Sequence, residues 1–124
     1  MRDHSKAEQR GRFAETLCVV WLTMTGWRIL ARRHRSKAGS GLGEIDIIAK
    51  RGRVVAFIEV KARASHDAAL ESVSSPQRTR IARAAHVFAE RDAACAGCDL
   101  RFDVMSVAGL IPRRLADAWR PDFL

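Results

Sequence analysis

The spacing of apolar residues near the start of the chain predicts an amphipathic helix over residues 6–25. Its buried stripe is expected to contain the large residues that recur at helical spacing: Phe13, Leu17, Val20, Trp21 and Met24. Gly26 follows directly and is well placed to end the helix. Glu15 points nearly opposite that stripe, which by itself indicates a surface acid, although Cys18 and Leu22 give this second face some apolar character.

Three strands are predicted after this helix. Residues 27–35 alternate weakly between apolar and polar positions, with a basic outer face. A loop rich in glycine and serine follows over residues 36–43. Residues 44–49 and 54–62 then have the alternation of two strands, and the intervening Gly52 permits a tight turn, so the pair is expected to form a β-hairpin.

A second helix and a last strand are predicted in the remainder of the chain. The helix begins within "SSPQRTRIARAAHVFAERDA", where Ser75 is the expected N-cap and Pro76 the first helical residue. Its expected buried stripe is Ile81, Ala84, Ala85 and Phe88. Residues 100–110 have the pattern of a strand, and the tail after them is amphipathic at best. The order α-β-β-β-α-β predicts a single α/β domain over residues 1–124, with a mixed sheet flanked by helices.

The predicted hairpin collects carboxylates on one face. With a tight turn at residues 51–52, the register places Glu44 opposite Glu59 and makes Asp46 a diagonal neighbour of Glu59, roughly 7–8 Å away at the Cα atoms. Lys61 projects from the same face because side chains alternate along a strand. Carboxylates of this kind bind Mg²⁺, which polarises phosphoryl oxygens and activates water, and a nearby lysine stabilises the developing charge. The pattern therefore favours a site for phosphodiester hydrolysis.

An ordinary solvated sheet face is the alternative to a metal site. Antiparallel strands often alternate apolar residues on the buried side with charged residues on the exposed side. The acidic face also contains Ile48, Val55 and Phe57, however, which indicates partial burial. Both interpretations remain open from the residues alone.

Sequence motifs add a resemblance to these physical arguments. "GEIDIIA" followed by "FIEVKAR" resembles the PD-(D/E)XK nuclease superfamily, with Glu59 and Lys61 in the E-x-K element. The chain more closely resembles the YraN-type family of small bacterial proteins, which are similar to archaeal Holliday-junction resolvases. This resemblance covers nearly the whole chain, including "GRFAE" and "RFDVMSV". It implies a restriction-endonuclease-like fold and a Mg²⁺ or Mn²⁺ cofactor.

The same resemblance implies roles for individual residues. Asp46 and Glu59 would bind the metal, and Lys61 would be the catalytic lysine. Glu15, in the "GRFAE" element, corresponds to a helix-borne acid that often completes such metal sites and belongs to the catalytic set. Gln77 lies on the inward side of the second helix, from which it could reach the site as a further catalytic residue.

Charge suggests what the protein binds. The chain has 22 lysines and arginines against 14 acids, a formal charge of +8. Arginine predominates, and its planar fork suits phosphate recognition, although an arginine-rich proteome would give the same bias. The residues expected to contact a DNA backbone without reading its sequence are Arg32, Arg33, Arg35, Lys37, Arg63, Arg78, Arg80 and Arg83.

Location and self-association are constrained only loosely. No apolar run approaches the roughly 18 residues needed to cross a bilayer, so no membrane partner is expected. The first residues lack the apolar core of a secretory signal, and a cytoplasmic location is the expectation. A homodimer is left open, because junction-cutting enzymes work as dimers. Leu115, Trp119 and Phe123 are the candidate interface.

The sequence thus predicts a Mg²⁺- or Mn²⁺-dependent DNA endonuclease, with branched or Holliday-junction-like DNA as a candidate substrate. One alternative is a non-catalytic nucleic-acid-binding module that retains the nuclease fold. Another is an RNA-processing or assembly role that acts through a protein partner. Metal dependence separates the first two classes, since a binding module should tolerate Asp46→Asn and Lys61→Ala.

Overall fold

The computed structural model of the chain describes residues 2–35, 41–62, 68 and 72–121, and their side chains from residue 9 onward. The first elements are helix α1 (Arg2–Met24) and strands β1 (Arg28–His34), β2 (Ile45–Arg51) and β3 (Val54–Ala62). They are followed by helix α2 (Ser75–Arg91), a single 3₁₀ turn (Ala93–Cys95), and strands β4 (Asp99–Ala108) and β5 (Ile111–Trp119). None of the described helices is both long and apolar enough to cross a membrane. The predicted α/β class is confirmed, with one strand more than expected.

The five strands form one mixed sheet in the order β1-β2-β3-β4-β5. Strands β3 and β4 are parallel, and the other neighbouring pairs are antiparallel. Helix α2 lies in the crossover between the two parallel strands, as such a connection usually requires. This arrangement confirms the predicted mixed sheet with helices and is consistent with the restriction-endonuclease-like fold.

Each helix covers its own face of the sheet. The core beneath α1 includes Ala14, Cys18, Leu22, Ile47, Ala49, Ala56, Ile58 and Met105. The core beneath α2 includes Ile81, Ala84, Ala85, Ile48, Val55, Phe57, Phe102 and Trp119. The second core contains a ring stack in which the centroids of Phe102 and Trp119 are 4.4 Å apart. Both faces of the hairpin are therefore covered along much of its length.

The predicted buried stripe of α1 is wrong. Phe13 and Val20 are about half exposed, at 52% and 51%, and Met24 is 81% exposed. Leu17 and Trp21 are only partly buried. The helix instead packs through the neighbouring face, where the buried residues are Ala14, Glu15, Cys18 and Leu22. Small side chains on that face allow the helix to lie close to the sheet, which a periodicity based on large apolar residues does not reveal.

The N-cap of helix α2 lies one residue earlier than predicted. The N-cap is Ser74, not Ser75, and its Oγ accepts a hydrogen bond of 3.3 Å from the backbone N–H of Gln77. Pro76 lies in the first turn, where its missing N–H is not needed. Of the predicted stripe, Ile81, Ala84 and Ala85 are buried as expected, and Phe88 is partly buried.

The chain after residue 110 forms a strand, and its interpretation as an amphipathic tail is wrong. Strand β5 pairs antiparallel with β4, with Trp119 opposite Phe102. A register shift between Phe102 and Val104, together with a positive φ of 53° at Asp117, interrupts the two-residue alternation. That interruption removes the periodic signal by which a strand is predicted from sequence.

Strand β5 contains two of the three residues that were predicted to form a dimer interface. Trp119 is 7% exposed and belongs to the core, so it is not available to a partner as predicted. Leu115 is partly exposed, at 44%. Phe123 lies outside the described residues.

Candidate active site

The β2–β3 hairpin brings the two central acids, Asp46 and Glu59, into contact. Gly52, with a φ of 60°, lies in the tight turn, and the last printed pair of the ladder is Ile47 with Ile58. The regular ladder ends at that pair, and Asp46 lies next to Glu59, close enough for a hydrogen bond between their carboxyl groups. The predicted register, with Asp46 diagonal to Glu59, is therefore wrong by two residues. Glu59 and Lys61 still share one face, because only a one-residue slip exchanges the faces, but Ile45 packs with Ile48 beneath α2, so the alternation of faces is broken beside Asp46.

Asp46 is tied to the backbone of the neighbouring strand. The N–H of Val60 donates a hydrogen bond of 2.8 Å to Oδ2 of Asp46. Burial raises the pKa of Asp46, the bond from Val60 acts against this rise, and the charge of Glu15 adds to it. The backbone donor was missed from the sequence, since no side-chain pattern signals it.

Glu59 is buried, at 9% exposed, and makes polar contacts with Gln77, Lys61 and Asp46. Its Oε1 accepts a hydrogen bond of 3.2 Å from Nε2 of Gln77, and the same oxygen lies 3.5 Å from Nζ of Lys61. Burial and then the charge of Asp46 raise the pKa of Glu59 to about 8, although Lys61 acts in the opposite direction. Folding therefore favours the protonated form of Glu59.

The pair of acids fits a divalent cation. Burial raises the pKa values of both neighbouring carboxyl groups, Asp46 and Glu59, and Lys61 supplies one compensating positive charge. Mg²⁺ commonly binds one or two protein carboxylates together with waters and substrate phosphates. Within the described part of the chain, no three His, Cys, Asp or Glu side chains form a group that could hold a metal ion. Asp46 and Glu59 are the two acids in contact at this site, and Glu15 lies close enough to raise the pKa of Asp46.

Glu15 lies beside this pair in an ion-pair cluster of its own. It is 5% exposed, so its interpretation as a surface acid is wrong. Nε of Arg32 lies 3.1 Å from Oε1 of Glu15, and Nε of Arg33 lies 3.0 Å from Oε2. Both carboxylate oxygens are thus engaged by arginines, yet Glu15 is close enough to raise the pKa of Asp46.

Glu44 forms a second acid–arginine pair at the edge of the site. Nε of Arg35 lies 2.9 Å from Oε2 of Glu44, whose side chain is partly exposed. Glu44 was predicted to face Glu59, but Asp46 is the acid that lies next to Glu59. The three arginines of the β1 segment that were predicted to contact phosphate are therefore each paired with a carboxylate.

The remaining residues that were predicted to contact DNA lie on helix α2 or outside the described residues. Nε of Arg78, on α2, donates a hydrogen bond of 3.1 Å to the carbonyl of Val73. Lys37 and Arg63 lie outside the described residues. The structure thus brings Asp46, Glu59, Lys61 and Gln77 together, with Glu15 adjacent.

The chain is similar to a group of bacterial proteins along nearly its whole length. Residues 14–107 match the uncharacterised protein family UPF0102. A UPF0102 protein of Paramagnetospirillum magneticum is 48% identical over 122 residues, covering 98% of this chain and 95% of the relative. Relatives from Maricaulis maris and Parvibaculum lavamentivorans are 43% and 47% identical, covering 97% and 93% of this chain and 92% and 84% of their own. These matches confirm the predicted resemblance to the YraN-type family.

Proposed function

The chain belongs to the uncharacterised protein family UPF0102, and we propose that it is a Mg²⁺- or Mn²⁺-dependent endonuclease that hydrolyses phosphodiester bonds in DNA. One observation supports this proposal above the others. The half-buried carboxylate of Asp46 and the buried carboxylate of Glu59 lie in contact, and Lys61 and Gln77 both contact Glu59. A surface face of alternating charges would not bury these groups or raise their pKa values.

Asp46 and Glu59 would hold the cation. A bound divalent cation would polarise a phosphoryl oxygen and lower the pKa of a water molecule. As a ligand, Glu59 would be ionised, so cation binding would act against the rise in its pKa. The hydrogen bond from the N–H of Val60 orients the Asp46 carboxylate in the site.

Lys61 and Gln77 would set the charge and the orientation of the reacting groups. The Lys61 side chain is 14% exposed, so its ammonium group lies in a region where electrostatic interactions are stronger than in water. There it would stabilise negative charge that develops on the phosphoryl oxygens. Gln77 would fix the Glu59 carboxylate from helix α2, and it acts through Glu59 as a positioning residue.

DNA is the proposed substrate because the chain has a formal charge of +8 and its site residues suit phosphodiester chemistry. Branched DNA is included among the candidate forms on the strength of the resemblance to junction resolvases. The charge itself favours backbone contact without a preference for sequence.

Cleavage of a panel of labelled DNAs tests the proposal. Linear duplex, single strand, flap and four-way junction would be incubated with Mn²⁺, Mg²⁺ or EDTA. Wild type would be compared with Asp46→Asn, Glu59→Gln and Lys61→Ala, and with Glu90→Gln as a control at an exposed ion pair of α2. Metal-dependent cleavage that only the first three variants lose is expected. Cleavage that persists in Asp46→Asn and Glu59→Gln, or that EDTA does not stop, would contradict the proposal.

A non-catalytic nucleic-acid-binding module is the second candidate. It is favoured by Glu15, which is engaged by Arg32 and Arg33 in the manner of a structural acid. In that case DNA binding would persist in EDTA, no form of DNA would be cleaved, and Asp46→Asn would leave the affinity unchanged.

A further inference from the structure

A cavity of about 300 Å³ lies between the start of helix α2 and the end of strand β5. Three arginines line it, and two hydroxyl groups accompany them: Arg78, Arg83, Arg120, Ser75 and Thr79. None of the described residues that line it is acidic. The cavity is therefore built for a negatively charged group.

The arginines of the cavity retain more free positive charge than those of β1. Within the described part of the chain, Arg83 makes no ion pair or hydrogen bond, and its side chain is exposed. Arg78 bonds only a neutral carbonyl, that of Val73. Arg120 is paired with Asp117 at 2.7 Å, but this pair is exposed and worth little in water. Arg32 and Arg33, by contrast, share the buried carboxylate of Glu15.

Three side chains of the cavity wall, those of Trp119, Arg78 and Thr79, are restrained by contacts within the protein. Trp119 is buried against Phe102, with ring centroids 4.4 Å apart. The Val73 carbonyl restrains the Arg78 side chain, and Oγ1 of Thr79 donates to the carbonyl of Ser75 at 3.1 Å. Fewer side chains then have to be ordered on binding, which favours affinity.

The cavity and the candidate active site share one helix. Arg78 follows directly after Gln77, whose side chain contacts Glu59. From Ser75 to Arg83 the helix rises about 12 Å, so the cavity extends along its first two turns. A ligand that passes over the start of α2 would meet both places.

We propose that this arginine cavity binds a phosphate of the DNA backbone other than the one that is hydrolysed. The identity of the ligand as DNA rests on the proposed function. The predicted phosphate contacts from Arg32, Arg33 and Arg35 then contribute less, since each of them has a carboxylate partner.

DNA binding in EDTA tests the inference without any cleavage. The affinity of the full chain for a labelled duplex would be measured by fluorescence anisotropy over a series of KCl concentrations. Arg83→Ala would be compared with Arg91→Ala, which removes the same charge from an exposed position at the far end of the same helix. Arg83→Ala should weaken binding about tenfold at low salt. It should also make the plot of log K against log salt shallower by about 0.9.

Two further variants keep the result interpretable. The double variant Arg78→Ala/Arg83→Ala should lower the slope by about 1.8, and Arg83→Lys should keep the wild-type slope. Circular dichroism would establish that each variant is folded, as expected for exposed or half-exposed positions. Equal slopes for Arg83→Ala and Arg91→Ala, or a wild type that does not bind DNA, would overturn the inference.

Inorganic phosphate distinguishes a DNA phosphate from a small phosphate ligand. If the cavity binds DNA, phosphate should displace the duplex no better than sulfate at equal ionic strength. Saturable phosphate binding that Arg83→Ala abolishes, with duplex affinity unchanged, would overturn the assignment to DNA. Binding through the cavity without cleavage would leave this inference standing and remove the proposed function. If the wild type cleaves DNA and Arg83→Ala binds DNA as tightly as the wild type, the proposed function would stand and this inference would fall.

Discussion

Nε2 of Gln77 donates a hydrogen bond of 3.2 Å to Oε1 of Glu59, and this contact joins the start of helix α2 to strand β3. The same oxygen lies 3.5 Å from Nζ of Lys61. The cap of the helix supports the contact, because Oγ of Ser74 accepts from the backbone N–H of Gln77. The orientation of the Glu59 carboxylate is thus set by a helix that is distant in sequence.

Gln77→Ala is expected to lower kcat for DNA cleavage about fivefold to tenfold, the effect of one lost hydrogen bond to a buried acid. KM for DNA should change little, because Gln77 acts through Glu59. Single-turnover cleavage over a range of DNA and Mn²⁺ concentrations would separate the two constants. His86→Ala, at an exposed position of the same helix, is the matched control. A loss confined to KM, or equal to that of the control, would contradict a positioning role.

A divalent cation should stabilise the folded protein through Asp46. A ligand present at about 100 times its Kd stabilises the native state by about 2.7 kcal/mol, which raises the Tm of a domain of this size by several degrees. Mn²⁺ and Mg²⁺ should give such a shift with wild type and not with Asp46→Asn. Thermal denaturation measures this without any activity. Equal shifts for Asp46→Asn and Glu90→Gln would place the cation elsewhere.

The metal-free protein should lose stability as the pH rises. The pKa of Glu59 is raised from 4.5 to about 8 on folding, so folding favours its protonated form. The contribution of Glu59 to the free energy of unfolding is fully present below about pH 4.5 and is lost as the pH rises through about 8. The total loss should be on the order of a few kcal/mol in the free energy of unfolding. Asp46, whose pKa is also raised, acts in the same direction.

Urea denaturation in EDTA between mildly acidic and mildly alkaline pH would measure this loss. The comparison of interest is the difference between wild type and Glu59→Gln, since the variant lacks the titrating group. Glu59→Gln should therefore become the more stable of the two at alkaline pH. Parallel stability curves for the two proteins would show that Glu59 ionises freely in the fold.

The hairpin shows why part of the site is predictable from sequence. Alternation along β3 assigns Glu59 and Lys61 to one face whatever the exact register, because an error of two residues preserves the faces. The register itself depends on which residues form the turn. Gly52 permits several tight turns, and the sequence does not choose between them. The contact between Asp46 and Glu59 therefore had to come from the structure.

Helix α1 and strand β5 show where the sequence misleads. The burial of α1 follows from its contact with the sheet, where Ala14 and Cys18 fit more closely than Phe13 would. Glu15 is buried as a consequence, and its arginine partners come from another element. In β5, the positive φ of Asp117 interrupts the alternation, so no periodic pattern marks the strand.

The burial of Glu15 between two arginines leads to a prediction that separates its two interpretations. Glu15→Gln removes the charge but keeps the size of the side chain, leaving Arg32 and Arg33 without an ionised partner. Unfolding free energy should fall by on the order of 2 kcal/mol, less than for fully buried pairs because the arginines are partly exposed. Glu44→Gln, at the more exposed pair with Arg35, should lower it by less than about 1 kcal/mol.

The same variant should bind DNA more tightly, since loss of the one Glu15 charge gives the Arg32–Arg33 pair one more net positive charge. Its plot of log affinity against log salt should be steeper than that of wild type by up to about 0.9. The Tm shift on adding Mn²⁺ should persist, because both oxygens of Glu15 are already engaged by Arg32 and Arg33. Loss of that shift in Glu15→Gln, with the shift intact in Glu44→Gln, would instead make Glu15 a third metal ligand. The two arginines would then have to release its carboxylate when the cation binds.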